Sequence, residues 1–530
     1  MPKVVVIGAG IGGMSFGIAL RRQLGFDDFT IYDKGSDVGG TWRDNVYPGA
    51  TSDVATHFYS ASTDLNPDWS ATHTPQAEMY EYWRKLARKY DLYPRMVFNC
   101  AVVSAEWKAE EQLYHIVTQD IRTGAQSSTT AKILISALGL LDVPRYPNIA
   151  GLTSFQGAMF HSARWDTGVD LQGKRVAVIG NGASAIQFVP LITEDPTVQV
   201  TEFCRTANWF KPPTRSNYSS FSKWTFRYVP FVMRAYRLYL YLKSETTYLN
   251  IFANPANREK TTVLLTNYIK KTAPKEYHEH LVPDYTLGCK RMLLDTNFLK
   301  SLHRPNLTLN WDGIQSIFEE GIVTKNGEKL SFDVIIFGTG FTADKYPLRV
   351  VGDTGKTVQE YYDSQSGPKA YLGTTVPGFP NFFIIAGPNL ATGHTSAILT
   401  EELQERFAQI NYILKFVKPI LKGLVASFDV TPRATDAYNE LIQARLARSV
   451  WVQCVSWYRA GGEGKVSSIF PGPMFLYAWW MHAVRWEDYK VNPTSANWER
   501  KIWREKWLKC LNPAHYLAVL VGFFVIWISG

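Results

Sequence analysis

Lys3-Val4-Val5-Val6-Ile7-Gly8-Ala9-Gly10-Ile11-Gly12-Gly13 opens the chain, and its reading decides the fold. The apolar run predicts a buried strand, and the glycines that follow at once predict a tight turn into a helix. The helical stretch, apolar at Met14, Ile18, Leu20 and Leu24, stops at Gly25. Phe29-Thr30-Ile31-Tyr32-Asp33 then reads as a second strand ending in an acid. Each part has a job in holding a dinucleotide. Gly8 permits the turn, Gly10 lets backbone approach a pyrophosphate, and Gly13 lets helix and strand pack closely. The helix N-terminus offers unpaired N–H groups to phosphate. Asp33 is placed to accept from a ribose hydroxyl.

The pattern recurs. Arg175–Ile179 reads as a strand, Gly180-Asn181-Gly182-Ala183-Ser184-Ala185 as the turn, Ile186 onward as a helix and 198–203 as the next strand. At this second strand end stands Arg205-Thr206 instead of an acid, which suits a 2′-phosphate and so NADP. Two modules of opposite preference imply two dinucleotides, FAD and NADPH, with hydride passing between them. The expected fold is α/β, with two Rossmann-like dinucleotide-binding domains and an inserted helical subdomain. Strands at 332–337 and 381–386, with a helix from about Ser396, complete the NADP and FAD sheets respectively. Both domains are therefore discontinuous: FAD over 1–147 and 344–515, NADP over 148–207 and 288–343. Residues 208–287 form the helical insertion, whose aromatic stripe is expected to be core rather than a lipid contact. Residues 516–530 form an apolar tail.

Composition narrows the class. At 530 residues the chain exceeds one core. The net charge of +9 comes with no basic block long enough to read as a nucleic-acid patch, so anionic cofactors and a membrane surface account for it. The five cysteines are scattered, with no Cys-x-x-Cys. A disulfide scaffold, a zinc site and a dithiol redox centre are therefore not expected, and no metal is assigned. With the first strand beginning by residue 3, no signal peptide is expected, and the catalytic body is placed in the cytoplasm. The tail, Tyr516 to Gly530, carries no charge and follows a Trp-, Lys- and Arg-rich stretch from Trp498 to Lys509. As a helix it is roughly 22 Å long, short of the ~30 Å hydrocarbon core. It reads either as membrane-associated, by shallow insertion or as a short anchor, or as a helix docked on the body.

Between the modules lies Phe155-Gln156-Gly157-Ala158-Met159-Phe160-His161-Ser162-Ala163-Arg164-Trp165-Asp166. It resembles the F-x-G-x-x-x-H-x-x-x-W-[P/D] signature of the type I Baeyer–Villiger monooxygenases, class B flavoprotein monooxygenases, at every defined position. The resemblance covers most of the chain. Gly39-Gly40-Thr41-Trp42, Tyr47-Pro48-Gly49-Ala50 and Asp53 look like that family's second flavin segment. By it, Thr41, Trp42, Asp53 and Tyr59 contact FAD, and Val102 touches it through its backbone. Gly288-Cys289-Lys290-Arg291 is similar to the family's G-x-K-R, in which the lysine holds the 2′-phosphate and the arginine lies over the flavin. Ser456-Trp457-Tyr458 with Gly464-Lys465 resembles the loop that folds over the nicotinamide. Thr51-Ser52 stands where Arg-Cys is frequent, Cys204 where Gln is frequent, and Asp33 where Glu is usual.

The resemblance implies that NADPH reduces FAD, that O2 adds at flavin C4a, and that the resulting peroxide stays anionic to attack a ketone carbonyl, giving an ester or lactone. A buried anion needs a fixed cation. Arg291 is the candidate, with Asp53 holding it; Lys290, Arg205 and Thr206 then bind phosphate. His161 is expected to hold two lobes in register rather than to act in catalysis, and Gly393 and His394 to line the flavin site. The aromatic content of 14% suggests a bulky, lipophilic ketone. The alternatives are nitrogen or sulfur oxygenation and a non-oxygenating NADPH-dependent flavin reductase.

Overall fold

Val4–Ile7 (β1) is buried along its whole length at the centre of a five-stranded parallel sheet. A computed structural model describes residues 3–394 and 409–503. A parallel strand covered on both faces reads as an unbroken apolar run rather than an alternation, which is why Val-Val-Val-Ile sits here. The helix α1 (Ile11–Leu24) follows and is closed by Gly25 in the left-handed region, φ 59°. Next come β2 (Phe29–Tyr32), the short helix α2 (Thr41–Asp44) and α3 (Gln76–Lys89). β3 (Met96–Val97) completes one edge. A meander of β4 (Cys100–Lys108), β5 (Leu113–Asp120) and β6 (Gln126–Ala131) leads to β7 (Ile133–Ser136), back beside β1.

The chain from Met96 to Lys108 is thus two strands rather than one. Asn99 takes φ 53° and turns the chain out of the first sheet into the meander. The strand β6, Gln-Ser-Ser-Thr-Thr-Ala, has too few apolar residues to announce itself in the sequence.

The second lobe repeats the plan with β8 (Ala158–His161), β9 (Arg175–Ile179), α4 (Ala185–Ile192), β10 (Gln199–Phe203), β13 (Leu307–Asn310) and β17 (Val334–Phe337). All five strands are parallel, in the order β13-β10-β9-β17-β8. The late strand β19 (Phe382–Ile384) pairs with β7, so each sheet is finished by a strand from far along the chain. A two-stranded pair, β11 (Phe210–Lys211) with β12 (Leu293–Leu294), closes the base of the insertion and brings residues 288–294 back to the cleft.

The insertion holds α5 (Ser220–Tyr228), α6 (Val232–Thr247), a π-helical turn (Tyr248–Ala253) and α7 (Pro255–Thr272), which Asn254 caps. The expectation that its aromatic stripe is core needs correcting. Phe226 is buried against His57, ring centroids 4.6 Å apart, but Trp224, Tyr228, Phe231 and Tyr239 are all more than half exposed. These helices touch the body along one face and, among the described residues, have no second layer above them. The apolar tail at 516–530 and the helix start expected near Ser396 lie outside the described residues.

One core position is out of character. Glu202 on β10 is fully buried, and neither carboxylate oxygen has a hydrogen-bond partner among the described residues. Burial raises its pKa well above the ordinary value. An acid with a raised folded pKa lets the folded state keep a proton that the unfolded chain releases. Stability therefore falls as pH climbs above the unfolded value near 4.3. Glu202→Met is expected to stabilise by about 1–3 kcal/mol, more at pH 8 than at pH 5, read by thermal unfolding at the two pH values.

Candidate active site

The first glycine turn is built as a cradle. Gly8 holds φ 105°, and a Cβ there would lie 2.5 Å from Ala137 O; one on Gly13 would lie 1.9 Å from Gly8 O. Gly40 (φ 50°) approaches Gly10 so closely that its Cβ would sit 3.1 Å from Gly10 Cα. Asp33 is buried at the end of β2. Its Oδ2 accepts from Ala9 N–H (2.7 Å), and its Oδ1 from Gly35 N–H (2.7 Å) and Arg43 Nη1 (2.9 Å). Arg43 was missed in the sequence because nothing in its spacing distinguishes it from a surface arginine. Thr41 begins α2, and the next residue, Trp42, is buried with its indole N–H unpartnered among the described residues. Its ring meets Tyr59 edge-on at 5.7 Å. Val102 lies at a bulge in β4, two residues beyond Cys100, whose N–H donates to Asp33 O. A glycine cradle, an oriented carboxylate and an orphaned indole donor on one rim are what a flavin dinucleotide requires.

The second turn is similar. Gly180 holds φ 102°, with Gly338 O 2.7 Å from where a Cβ would be, and Gly182 and Ser184 lead into α4, which begins at Ala185. Lys290 Nζ donates to Thr206 Oγ1 (2.9 Å) and lies 4.6 Å from the centre of the Tyr285 ring. Burial, then the neighbouring charge of Arg205, lowers the Lys290 pKa. Two cations and a hydroxyl converging on one spot suit a doubly charged phosphate. The lobes are clamped by Gln187 of α4. It accepts from Tyr47 Oη (3.0 Å) and Thr51 N–H (3.3 Å) and donates to Thr51 O (3.0 Å). Because Thr51 acts here through its backbone, the side-chain departure at Thr51 leaves the clamp intact.

Between the two pockets Arg291 meets Asp53, 238 residues away in sequence: Nε to Oδ2 is 2.7 Å and Nη2 to Oδ2 2.6 Å. About a third of each side chain faces the cleft. Burial pushes the Asp53 pKa up, but the Arg291 charge and hydrogen bond, helped by Lys211 and His73, leave it below the usual carboxylate range. Asp53 in turn raises Arg291 above its ordinary value against the effect of burial. Burial pushes the fully enclosed Tyr458 phenol up to about 12, so it remains a neutral hydroxyl beside the guanidinium. Burial lowers His73, despite nearby Asp53, to about 4. The pair is therefore charged, and the Tyr458 hydroxyl and His73 imidazole beside it are neutral, across the physiological range.

One residue near this centre was not foreseen, and His394, expected to line the flavin site, lies beside it. Phe252, from the π-helical turn of the insertion, stacks on Trp451 at 4.8 Å and crowds Gly288 and Gly393. His394 lies beside Tyr248 (5.0 Å) and 3.7 Å from the buried carboxylate of Glu245. The cysteine expectation also needs correcting, since Cys289 and Cys454 form a disulfide across 165 residues. Sequence spacing conceals it because β12 returns the 288–294 segment beneath the C-terminal loop. The bond ties the residue before Lys290 to the loop bearing Trp457, whose ring packs on Tyr458 at 4.7 Å. Cys454→Ser is expected to raise KM for NADPH about three- to tenfold, the scale of ordering one or two side chains. Wild-type enzyme treated with dithiothreitol should match the variant in steady-state assays.

Comparison with known proteins decides the family. The pyridine nucleotide-disulphide oxidoreductase family matches residues 5–250. A Baeyer-Villiger monooxygenase of Pseudomonas aeruginosa is 39% identical over 476 residues, covering 89% of this chain and 88% of the relative. The chain belongs to the Baeyer–Villiger monooxygenase family. This monooxygenase is accordingly an FAD-dependent oxidoreductase that uses NADP(H). An FAD-binding monooxygenase of Aspergillus niger is 34% identical over 499 residues, 92% of this chain and 81% of its own length. The solved structure of an oxidized steroid monooxygenase bound to NADP is 27% identical. It superposes with a TM-score of 0.78 over 93% of this chain and 99% of that one.

His161 of the monooxygenase is wholly buried at the end of the edge strand β8. Its Nδ1 accepts Ala163 N–H (3.1 Å), and its ring packs against Tyr146 and Phe341, at 5.7 and 5.8 Å. Burial lowers its pKa to about 4, against a smaller opposite effect from the Gly340 backbone. A neutral imidazole is thus packed between Tyr146 and Phe341, one from each of the two connectors.

Proposed function

We propose that this enzyme converts a bulky, lipophilic ketone to an ester or lactone, with Arg291 as the fixed cation of the reaction and Asp53 as the residue that positions it. The Asp53–Arg291 pair at the cleft between the pockets carries the reading. Bound in the two pockets, FAD supplies the redox centre that activates O2 and NADPH supplies the hydride. The protein's share is electrostatic. Arg291 keeps its charge at every working pH, and its guanidinium carries more donors than the Asp53 carboxylate takes up. Asp53 fixes the plane of the guanidinium and balances its charge when no anion is present. Lys290, Arg205 and Thr206 hold the 2′-phosphate, and Trp457 on its tethered loop covers the nicotinamide side. The glycines at 8, 10, 13, 40, 180 and 182 keep both dinucleotides close to the backbone.

The aromatic wall of Tyr248, Phe252 and Trp451 supports the substrate class, because it offers a large apolar surface and few hydrogen-bond donors. Aerobic incubation with NADPH and ketones of increasing size, linear and cyclic, tests it, with esters read by mass spectrometry. Large ketones should give product with stoichiometric NADPH consumption and kcat/KM at least about tenfold above small ones, the scale of a few buried methylenes. Sulfoxides or N-oxides alone, or NADPH consumption without product, would contradict it. Phe252→Ala should lower kcat/KM for the best large ketone by a further ~10-fold or more while leaving the small ones unaffected.

A further inference from the structure

Residues 208–272 contain eleven lysines and arginines against two acids, Glu245 and Glu259. This stretch therefore carries nine net positive charges, as many as the whole chain at +9. One of the two acids, Glu245, is turned inward and accepts Met474 N–H (3.0 Å); of the cations, Arg237 binds the His57 and Ser60 carbonyls and Arg227 pairs with Asp68, while on the outer face Arg234 stays exposed and Lys223 half-exposed.

Apolar rings project from that same face. On α5, Phe221, Trp224 and Tyr228, spaced i, i+3, i+7, are 75%, 53% and 61% exposed. Phe221 and Trp224 stack on each other at 6.3 Å instead of turning inward. The turn into α6 carries Phe231, 80% exposed and held at φ 66°, a left-handed backbone that few aromatic residues adopt. Leu238 and Leu242 extend the ridge along α6, each 53% exposed.

We propose that this ridge docks the enzyme on an anionic lipid bilayer. Phe221, Trp224 and Phe231 sink to the boundary of the acyl chains, and Lys223 and Arg234 lie at the headgroups. Interleaved aromatic and basic side chains on a helix that lies along a surface are the signature of interfacial binding. Among the described residues no helix is long and apolar enough to cross a membrane, so the contact runs along the bilayer. Two other occupants fit less well. Nucleic acid would use the charge and the rings, but the exposed Leu238 and Leu242 offer bases nothing to stack on. A second copy would set two strongly positive faces against each other. Docking does not depend on the substrate reading. It does put one end of α6 at the lipid and the other, about 24 Å along, at the turn that bears Phe252.

The test is cosedimentation of the full chain with vesicles of phosphatidylcholine, with and without phosphatidylglycerol. Wild-type protein should bind the anionic vesicles and be largely released by high salt. The triple variant Phe221→Ser, Trp224→Ser, Phe231→Ser should bind at least about tenfold more weakly, with its solution rate of NADPH oxidation unchanged. Lys223→Glu with Arg234→Glu should remove the preference for phosphatidylglycerol. Three results would overturn the proposal: undiminished binding by the triple variant, which would place the contact in the apolar tail; no sedimentation of wild type; or self-association or nucleic-acid retention, in place of vesicle binding, that the triple variant loses.

Discussion

Arg291→Ala is expected to lower ester formation by at least about 10³-fold while NADPH still bleaches the bound flavin at near the wild-type rate. Losing one preorganised donor to a developing charge costs about 10²–10³ in other active sites. Here the loss is compounded, because Asp53 keeps its carboxylate in the cleft with its cation gone and becomes a second unfavourable charge. The split between the two half-reactions is the informative part. A guanidinium acting only as a lobe-to-lobe tie would damage flavin reduction as much as oxygenation. Anaerobic stopped-flow absorbance reads the first step and product mass spectrometry the second; normal product yield would remove the assignment. Arg291→Lys should recover only a small part, since an ammonium cannot hold Asp53 and still present a second donor in the same plane. The Asp53 pKa is depressed, so the pair stabilises the fold above the unfolded value near 3.9 and loses that contribution as pH falls through the folded one. Activity should show no inflection from this pair between pH 6 and pH 9.

The double variant Arg205→Ala, Lys290→Ala should raise KM for NADPH by roughly 10²-fold or more while leaving KM for NADH almost unchanged. A charge-assisted hydrogen bond contributes about 1.5–3 kcal/mol, and two are removed. Lys290, already anchored to Thr206 Oγ1 and destabilised as an ammonium by burial and by Arg205, gains most from an arriving phosphate dianion. Steady-state kinetics with both nucleotides decides it. Equal losses with NADPH and NADH would mean that the lysine and arginine hold the protein together rather than read the phosphate.

These residues differ in how far the sequence discloses them. The two glycine turns are legible because each glycine meets a local backbone demand, and a φ near 100° at Gly8 and Gly180 leaves no other residue comfortable. Strands such as Val4–Ile7 are legible because burial on both faces forces an apolar run. Arg291 and Asp53 carry no such mark. Their meeting depends on how the 288–294 segment returns through β11 and β12, and only the motif resemblance pointed to it. Arg43 under Asp33, the Gln187 clamp and the Cys289–Cys454 bond are invisible for the same reason: long-range geometry brings together residues that look ordinary in a line. The insertion misleads in the opposite direction. Its aromatic residues have the spacing of a core face, but burial needs a partner layer, and among the described residues α5 and α6 have none on their outer side.

The central claim is that a guanidinium at the junction of a flavin pocket and a phosphorylated-nicotinamide pocket supports insertion of oxygen beside a carbonyl. Turnover of a bulky ketone by wild-type enzyme with NADPH under ¹⁸O2, followed by product mass spectrometry, tests it most directly. The account predicts an ester or lactone carrying one heavy oxygen, with one NADPH consumed per product. Recovered ketone alongside NADPH oxidation, or product without the label, would contradict it.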